Sequence, residues 1–152
     1  KPQTPPVAQQ QVEVFWLKGS GVRQQLVATT ATTTADIKKQ PTAALKTAFD
    51  NLLSGPKDGS VSTTIPQGTT LRDLKVEKDG IHVNLSEDFT AGGGSTAMTG
   101  RVAQVIYTAT SLDPSAKVWI EVEGEPLEVL GGEGLELEQP LTRQSLGENF
   151  TL

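Results

Sequence analysis

The sequence contains no cysteine, a single histidine and no hydrophobic stretch long enough to span a membrane as a helix. Without cysteine there is no disulfide framework, no thiolate metal site and no cysteine nucleophile. One histidine, His82, is too few for a histidine-rich zinc site, and the sequence shows no nucleophile partnered with it. A transmembrane helix needs about 20 consecutive apolar residues, and no run approaches that length. We therefore expect no cofactor, no metal and no catalytic residue.

Positive charge is also scarce. The chain has 13 Lys and Arg against 18 Asp and Glu, a net charge of -5 and a pI near 4.9. Nucleic-acid binding needs a basic face that displaces counterions from phosphates, so we expect no nucleic-acid partner. The same balance argues against a polybasic membrane anchor. With 152 residues, 36% hydrophobic and 20% charged, the chain suits one globular domain with its own core.

The two ends of the chain differ in composition from its middle. Residues 1–11 are rich in glutamine and in proline, which cannot donate a backbone hydrogen bond. We interpret 1–11 as a linker, 12–143 as the folded domain and 144–152 as a C-terminal tail. Because the chain begins at Lys1 without an initiator methionine, we expect an excised domain whose native N-terminus carried a targeting segment. A linker of this composition is common next to a membrane anchor and equally common between two soluble domains.

Two segments have the apolar spacing of amphipathic helices. In 42–54, apolar residues recur three and four positions apart, and Gly55 followed by Pro56 ends the helix. A second helix spans about 95–111 and is capped at its start by a serine or threonine. The two stripes consist of Leu45, Ala48, Phe49, Leu52 and Leu53, and of Met98, Val102, Val105, Ile106, Ala109 and Leu112.

Alternating apolar and polar residues predict the strands. Two strands, 12–17 and 22–30, flank a glycine-containing turn, and a hairpin over 74–85 turns at an Asp-Gly pair. A further strand covers 117–122, with a short return strand at 127–130. The order ββ-α-ββ-α-β(β) predicts an α+β fold, with an antiparallel or mixed β-sheet and two helices packed on one face.

Acidic residues concentrate between positions 121 and 138, where they alternate with apolar residues as on the solvent face of a strand. Their spacing is not that of an EF-hand loop, which leaves weak cation binding as a minor alternative. No two of these carboxylates stand out as a glycosidase pair. We predict a candidate interaction surface formed by Trp119, Glu121, Glu123, Glu128, Glu136 and Glu138. Segment 127–137 is the predicted edge strand that a partner strand could join.

Two further features have a functional and a structural interpretation. Glycines 92–94 before a helix invite a phosphate-binding reading, but the Walker lysine is missing, so we interpret them as a turn. His82 lies beside Asn84 on the polar face of a strand, and we expect a solvated surface residue.

Seven short motifs over about 12–143 occur in one order and at separations that resemble the GerMN domain family. In chain order they are Val14-Phe15-Trp16, Leu52-Leu53-Ser54-Gly55-Pro56, Ile65-Pro66-Gln67-Gly68-Thr69-Thr70-Leu71, Gly80-Ile81-His82-Val83-Asn84-Leu85-Ser86, Gln104-Val105-Ile106-Tyr107-Thr108, Val118-Trp119-Ile120-Glu121-Val122-Glu123-Gly124-Glu125-Pro126 and Pro140-Leu141-Thr142-Arg143. The family usually has aspartate where Asn84 stands, and here the module occurs once.

The resemblance implies an extracytoplasmic bacterial domain, tethered by a lipoprotein or membrane anchor and involved in sporulation, germination or envelope assembly. It implies a non-catalytic interaction or scaffold module with protein partners in the envelope, or with peptidoglycan or lipid. It transfers no catalytic residue. The alternative is a domain that binds a small ligand, such as a cell-wall fragment or lipid, with Trp16, Trp119 or Tyr107 lining a pocket.

Overall fold

The computed structural model describes residues 10–20, 23–33, 39–56, 59–91, 95–130, 135–136 and 139–144. Their elements are β1 Gln10–Ser20, β2 Arg23–Thr33, α1 Pro41–Ser54, β3 Leu71–Glu77, β4 Gly80–Leu85, a 3₁₀ helix Glu87–Thr90, α2 Ser95–Ala109, β5 Val118–Val122, β6 Glu125–Pro126, β7 Val129–Leu130 and β8 Leu135–Glu136. The predicted α+β class and its order of elements are confirmed.

The main sheet has four strands in the order β3-β4-β5-β6. β3 and β4 form the predicted antiparallel hairpin, whereas β4 and β5 run parallel. Parallel neighbours need a crossover connection, and α2 supplies it between them. The sheet is therefore mixed.

Strands β1 and β2 form a separate antiparallel hairpin. The edge of β1 that faces away from β2 is covered by α2 instead of by another strand. The Phe15 N–H donates to Thr108 Oγ1 at 3.1 Å, and Gln104 Nε2 donates to the Phe15 carbonyl at 3.2 Å. Next to them, Leu17 and Ser62 exchange two backbone hydrogen bonds. Side chains of α2 thus satisfy the backbone groups that a strand would otherwise pair.

Both predicted helix stripes belong to the hydrophobic core against the apolar face of the main sheet, with Leu53 and Leu112 partly buried at its border. Phe49 of α1, Ile106 of α2, and Val83 and Ile120 of the sheet are each 0% exposed and belong to one cluster. Burying one such side chain contributes about 1.5–3 kcal/mol. This cluster leaves the opposite face of β4 and β5 free to carry polar and aromatic residues. In the described ranges no helix is long and apolar enough to cross a membrane.

The predicted edge strand 127–137 is not one continuous strand. The Leu127 N–H donates to the Ile120 carbonyl at 2.9 Å, which places residue 127 beside β5. β7 and β8 pair with each other as a short antiparallel ladder. Residues 131–134 and 137–138 lie outside the described residues, as do most of the predicted linker, the tail from residue 145 and the glycine turn at 92–94.

Candidate binding surface around Trp119

The turn between β3 and β4 brings the backbone unusually close to β5. Gly80 has φ 143°, a conformation that side chains rarely adopt. A Cβ at this position would meet the Lys117 carbonyl oxygen, and it would lie 2.8 Å from Cζ3 of Trp119. The Ile81 N–H donates to the same Lys117 carbonyl at 2.8 Å. Glycine at position 80 therefore lets the Trp119 indole lie against the start of β4.

The register of the parallel pair β4–β5 places His82 directly beside Trp119. Their rings stack with centroids 4.7 Å apart and planes 5° from parallel. The His82 side chain is only 25% exposed as a result. His82 is thus a partly exposed surface residue, as expected from its polar face, but Trp119 covers one side of its ring.

Two carboxylates hold the imidazole of His82 in place. Its Nε2 lies 3.0 Å from Asp79 Oδ1 and 3.4 Å from Glu77 Oε1. An ionised carboxylate only accepts hydrogen bonds, so these contacts favour the tautomer with the proton on Nε2. The ligand atoms of the three residues lie within 4.8 Å of one another, a spacing that a divalent cation could bridge.

A cavity of about 680 Å³ opens beside this stack at one end of the main sheet. Its apolar lining includes Pro41 and Leu45 of α1, Val76 of β3, Leu112 after α2 and Trp119. The charged lining residues are Glu77, Lys78, Asp79, Asp113 and Lys117. The volume lies within the range of about 300–1,000 Å³ that is common for ligand sites. The cavity thus combines an apolar wall containing a fixed indole with charges of both signs.

The structure separates the acidic residues of the predicted interaction surface. Trp119 and Glu121 alternate with buried Val118 and Ile120, so they share the outer face of β5. Glu123 points elsewhere: its Oε1 lies 3.3 Å from Arg72 Nη1, and its Oε2 accepts from the Glu87 N–H at 2.9 Å. Glu123 therefore joins the β5–β6 turn to β3 and to the 3₁₀ helix.

The remaining predicted residues lie further along the chain. Glu128 is exposed after β6, Glu136 belongs to β8, and Glu138 lies outside the described residues. Of the predicted set, the structure therefore brings together Trp119 and Glu121. Sequence reasoning missed His82 and Asp79 as neighbours of Trp119. The Asp-Gly turn signalled their hairpin, but the parallel pairing with β5 left no local pattern in the sequence.

The other aromatic candidates are occupied in structural contacts. Trp16 is 5% exposed and its Nε1 donates to Thr29 Oγ1 at 2.8 Å. Tyr107 packs against Phe15 and lies under the guanidinium of Arg143, 4.5 Å from the ring centroid. Arg143 also donates to the Tyr107 carbonyl at 2.9 Å, and burial lowers the pKa of its guanidinium. Among the three aromatic candidates, Trp119 is thus the one that lines the cavity of about 680 Å³, where a binding partner can contact it.

Three solved structures have a similar fold. A candidate lipoprotein from Clostridium perfringens matches with a TM-score of 0.62 and 17% identity, over 100% of this chain and 99% of that one. The tandem GerMN domains of the sporulation protein GerM from Bacillus subtilis match with a TM-score of 0.66 and 20% identity, over 95% of this chain and 49% of that one. The first GerMN domain of GerM from Bacillus subtilis matches with a TM-score of 0.63 and 18% identity, over 88% of this chain and 98% of that one.

These similarities identify one GerMN-like unit, since the chain spans about half of the tandem protein and nearly all of its first domain. No curated protein sequence matches the chain. The family Germane, described as sporulation and spore germination, matches residues 13–128. That range covers more than half of the sequence, so the chain belongs to the Germane family and folds as a GerMN-like domain.

Proposed function

We propose that this domain is a non-catalytic interaction module of the bacterial cell envelope that binds a protein partner at the Trp119 surface. The Trp119 surface is defined as Trp119, His82 and the lining of the adjacent cavity. One observation carries the proposal: an indole held by a parallel stack lies at a cavity with apolar walls and charged residues of both signs. Fixed aromatic residues in such settings supply much of the binding energy at protein interfaces.

The polar groups at the cavity support binding more than catalysis. Ser115 Oγ donates to Asp113 Oδ1 at 2.9 Å, and the Ser115 N–H also lies 3.1 Å from that oxygen. This is the local hydrogen bonding of a turn, with the serine as donor and the carboxylate as acceptor. His82 Nε2 is engaged by Asp79 and Glu77 on the outer face of the sheet. These partners stabilise the shape of the surface and leave no nucleophile–base pair among the described lining residues.

The extracytoplasmic location is supported by two observations. The family description names sporulation and germination, and a structure of similar fold belongs to a candidate lipoprotein. Because Gln10 and Gln11 already pair with β2 in β1, we place the start of the folded domain at Gln10 and its end at residue 143, and we propose that the residues before Gln10 are a linker. The partner is an envelope protein and not a nucleic acid, because the chain carries a net charge of -5.

Site-specific photo-crosslinking tests the proposal. A photoreactive amino acid replaces Lys78, an exposed lining residue, in the full-length protein expressed in its own bacterium. The control probe replaces Gln67, which is also exposed but does not line the cavity. We expect a discrete crosslinked product from position 78 that is absent from position 67 and is lost in Trp119→Ala. The same products from both positions, or none from position 78, would overturn the proposal.

The second candidate function is binding of a small cell-wall fragment or lipid in the same cavity. The volume of about 680 Å³ favours it, because it can enclose a ligand of drug-like size. A thermal-shift screen with muropeptides and lipid headgroups decides between the two. A ligand at a concentration of 100 times its Kd adds about 2.7 kcal/mol of stability. A shift that disappears in Trp119→Ala favours the small ligand, and unchanged melting across the screen rejects it.

A further inference from the structure

The edge of β2 that faces away from β1 is open in the described part of the chain. β1 is the one strand paired with β2 there. The backbone groups of Phe15 and Leu17 point away from β2, since they bond to α2 side chains and to Ser62. In an antiparallel pair, the backbone N–H and C=O groups of two directly opposite residues point either toward each other or, in both residues, away from the partner strand. Ala28 and Leu26, opposite Phe15 and Leu17, therefore direct their N–H and C=O groups to the open edge.

Alternation along the strand extends this row of outward-facing backbone groups to Thr30 and Thr32. Neither these two residues nor Leu26 and Ala28 have a backbone partner on that side among the described residues. The row therefore offers donors and acceptors of a strand edge to an incoming strand.

Apart from Arg23 at its start, β2 carries no residue that protects a strand edge against such pairing. Residues 24–33 contain neither a charge nor a proline, and they are rich in threonine. β3, the edge strand of the main sheet, is different: it carries Arg72, Asp73, Lys75 and Glu77, and a bulge interrupts its register. Charges and bulges are the usual protection of an edge against unwanted pairing. The edge strand β3 therefore has that protection, and residues 24–33 of β2 lack it.

A groove of about 400 Å³ runs along the open edge. Consecutive residues 29–32 line it, although their side chains alternate between the two faces, so the backbone edge itself forms one wall. The opposite wall includes Asn51, Gly55 and Val61. No ionisable side chain is among its lining residues: Val14, Trp16, Thr29, Thr30, Ala31, Thr32, Asn51, Gly55 and Val61. A strand added here would need small, uncharged side chains on the face that enters the groove.

We propose that this edge pairs with β2 of a second copy of the chain, in a two-fold antiparallel arrangement. An axis at Thr29 sets Leu26 opposite Thr32 and Ala28 opposite Thr30 of the other copy. All four residues direct their backbone groups outward, so each opposing pair exchanges two hydrogen bonds. No like charges meet in this register, and Val27 and Ala31 of the second copy face the groove. The same strand of a second copy thus fits the edge, and the paired hairpins form one four-stranded sheet, β1-β2-β2-β1.

Analytical ultracentrifugation of the purified chain from micromolar to millimolar concentration tests the pairing. The mass should rise from 16.1 kDa toward twice that value. Thr30→Pro should abolish the increase, because it removes an N–H that faces the open edge and leaves the ladder with β1 intact. Thr30→Ala is the matched control, since it loses the same hydroxyl but keeps the N–H, and it should dimerise like the wild type.

A second variant covers the case in which Thr30→Pro fails to fold. Ala31→Lys puts a charge into the groove and should also keep the chain monomeric, with a melting curve that shows a folded protein. A wild-type mass of 16.1 kDa at every concentration overturns the proposal. So does dimerisation of Ala31→Lys that matches the wild type, because the interface would then lie elsewhere.

The absence of cysteine permits a direct test of the register. In Thr29→Cys the two thiols lie across the axis in a non-hydrogen-bonded pair, where the Cα atoms are about 4.5 Å apart. This separation is within reach of a disulfide, so mild oxidation should give a covalent dimer. In the control Thr32→Cys the two thiols are six residues out of register, roughly 20 Å apart by strand rise, and should not crosslink. Equal crosslinking of both variants would contradict the proposed axis. These results do not depend on the Trp119 surface.

Discussion

Gln139 takes the place of a neighbouring strand beside Ile120. Its Oε1 accepts from the Ile120 N–H at 2.8 Å and its Nε2 donates to the Ile120 carbonyl at 2.9 Å. The same Nε2 donates to the Leu127 carbonyl at 2.6 Å. One carboxamide thus satisfies three backbone groups and closes the outer edge of β5, next to the face that carries Trp119 and Glu121.

Gln139→Ala should destabilise the domain by about 1–3 kcal/mol, because it removes the side-chain partner of the part-buried Ile120 N–H and Leu127 carbonyl, whereas the Ile120 carbonyl keeps the Leu127 N–H. Urea unfolding followed by circular dichroism measures the change. Gln67→Ala is the control, since Gln67 is exposed in a turn, and it should stay within about 0.5 kcal/mol of the wild type. Equal stability of the two variants would contradict a structural role for Gln139.

Gly80→Ala should cost about 2 kcal/mol or more and disturb Trp119, because the new Cβ meets both the Lys117 carbonyl and the indole. Gly124→Ala is a matched control, since Gly124 also has a positive φ, 84°, but has open space around its Cβ position. We expect it to cost about 1–2 kcal/mol from backbone strain alone. Only Gly80→Ala should shift the Trp119 fluorescence, which is read in a Trp16→Phe background. A shift of equal size in both variants would argue against close packing at Gly80.

Arg143→Lys should destabilise the domain by about 1–3 kcal/mol. Lysine cannot reproduce the planar fork that donates to Thr110 Oγ1 at 2.7 Å and to the Tyr107 carbonyl at 2.9 Å while stacking on the Tyr107 ring. The control Arg72→Lys changes a 52% exposed side chain paired with Glu123, and it should stay within about 0.5 kcal/mol. Comparable unfolding midpoints for the two variants would show that the Arg143 contacts contribute little.

The stack of His82 on Trp119 should appear as a coupling energy. A double-mutant cycle with His82→Ala, Trp119→Ala and the double variant, measured by urea unfolding, should give about 0.5–1.5 kcal/mol. The two single changes would be additive if the rings lay side by side without interacting. Coupling below the experimental error would remove the argument that the indole is held in place.

The parts of the fold that could be predicted from sequence depend on local patterns. The helix stripe around Leu45 and Phe49 and the hairpin turn at Gly80 each follow from spacing or turn chemistry within a few residues. The parallel neighbours His82 and Trp119 could not be predicted in the same way. Their pairing depends on where α2 returns the chain to the sheet, and this is a tertiary outcome.

The difference between local patterns and tertiary structure also explains why strand alternation predicted the position of Glu121 and not that of Glu123. Strand alternation correctly places Glu121 beside Trp119 on one face of β5. Glu123 looked equivalent in sequence, but it has φ 51° in the β5–β6 turn and contacts Arg72 and the Glu87 N–H. A turn redirects side chains, so alternation ceases to be informative where the strand ends.

The most direct test of the Trp119 surface is the Kd of the purified partner identified by crosslinking at position 78, measured by calorimetry with three forms of the domain. If the indole is the centre of the interface, Trp119→Ala should raise Kd by about 30-fold or more, the equivalent of about 2 kcal/mol. Glu128→Ala, an exposed residue outside the cavity lining, should bind like the wild type. The same Kd for wild type and Trp119→Ala would contradict the account.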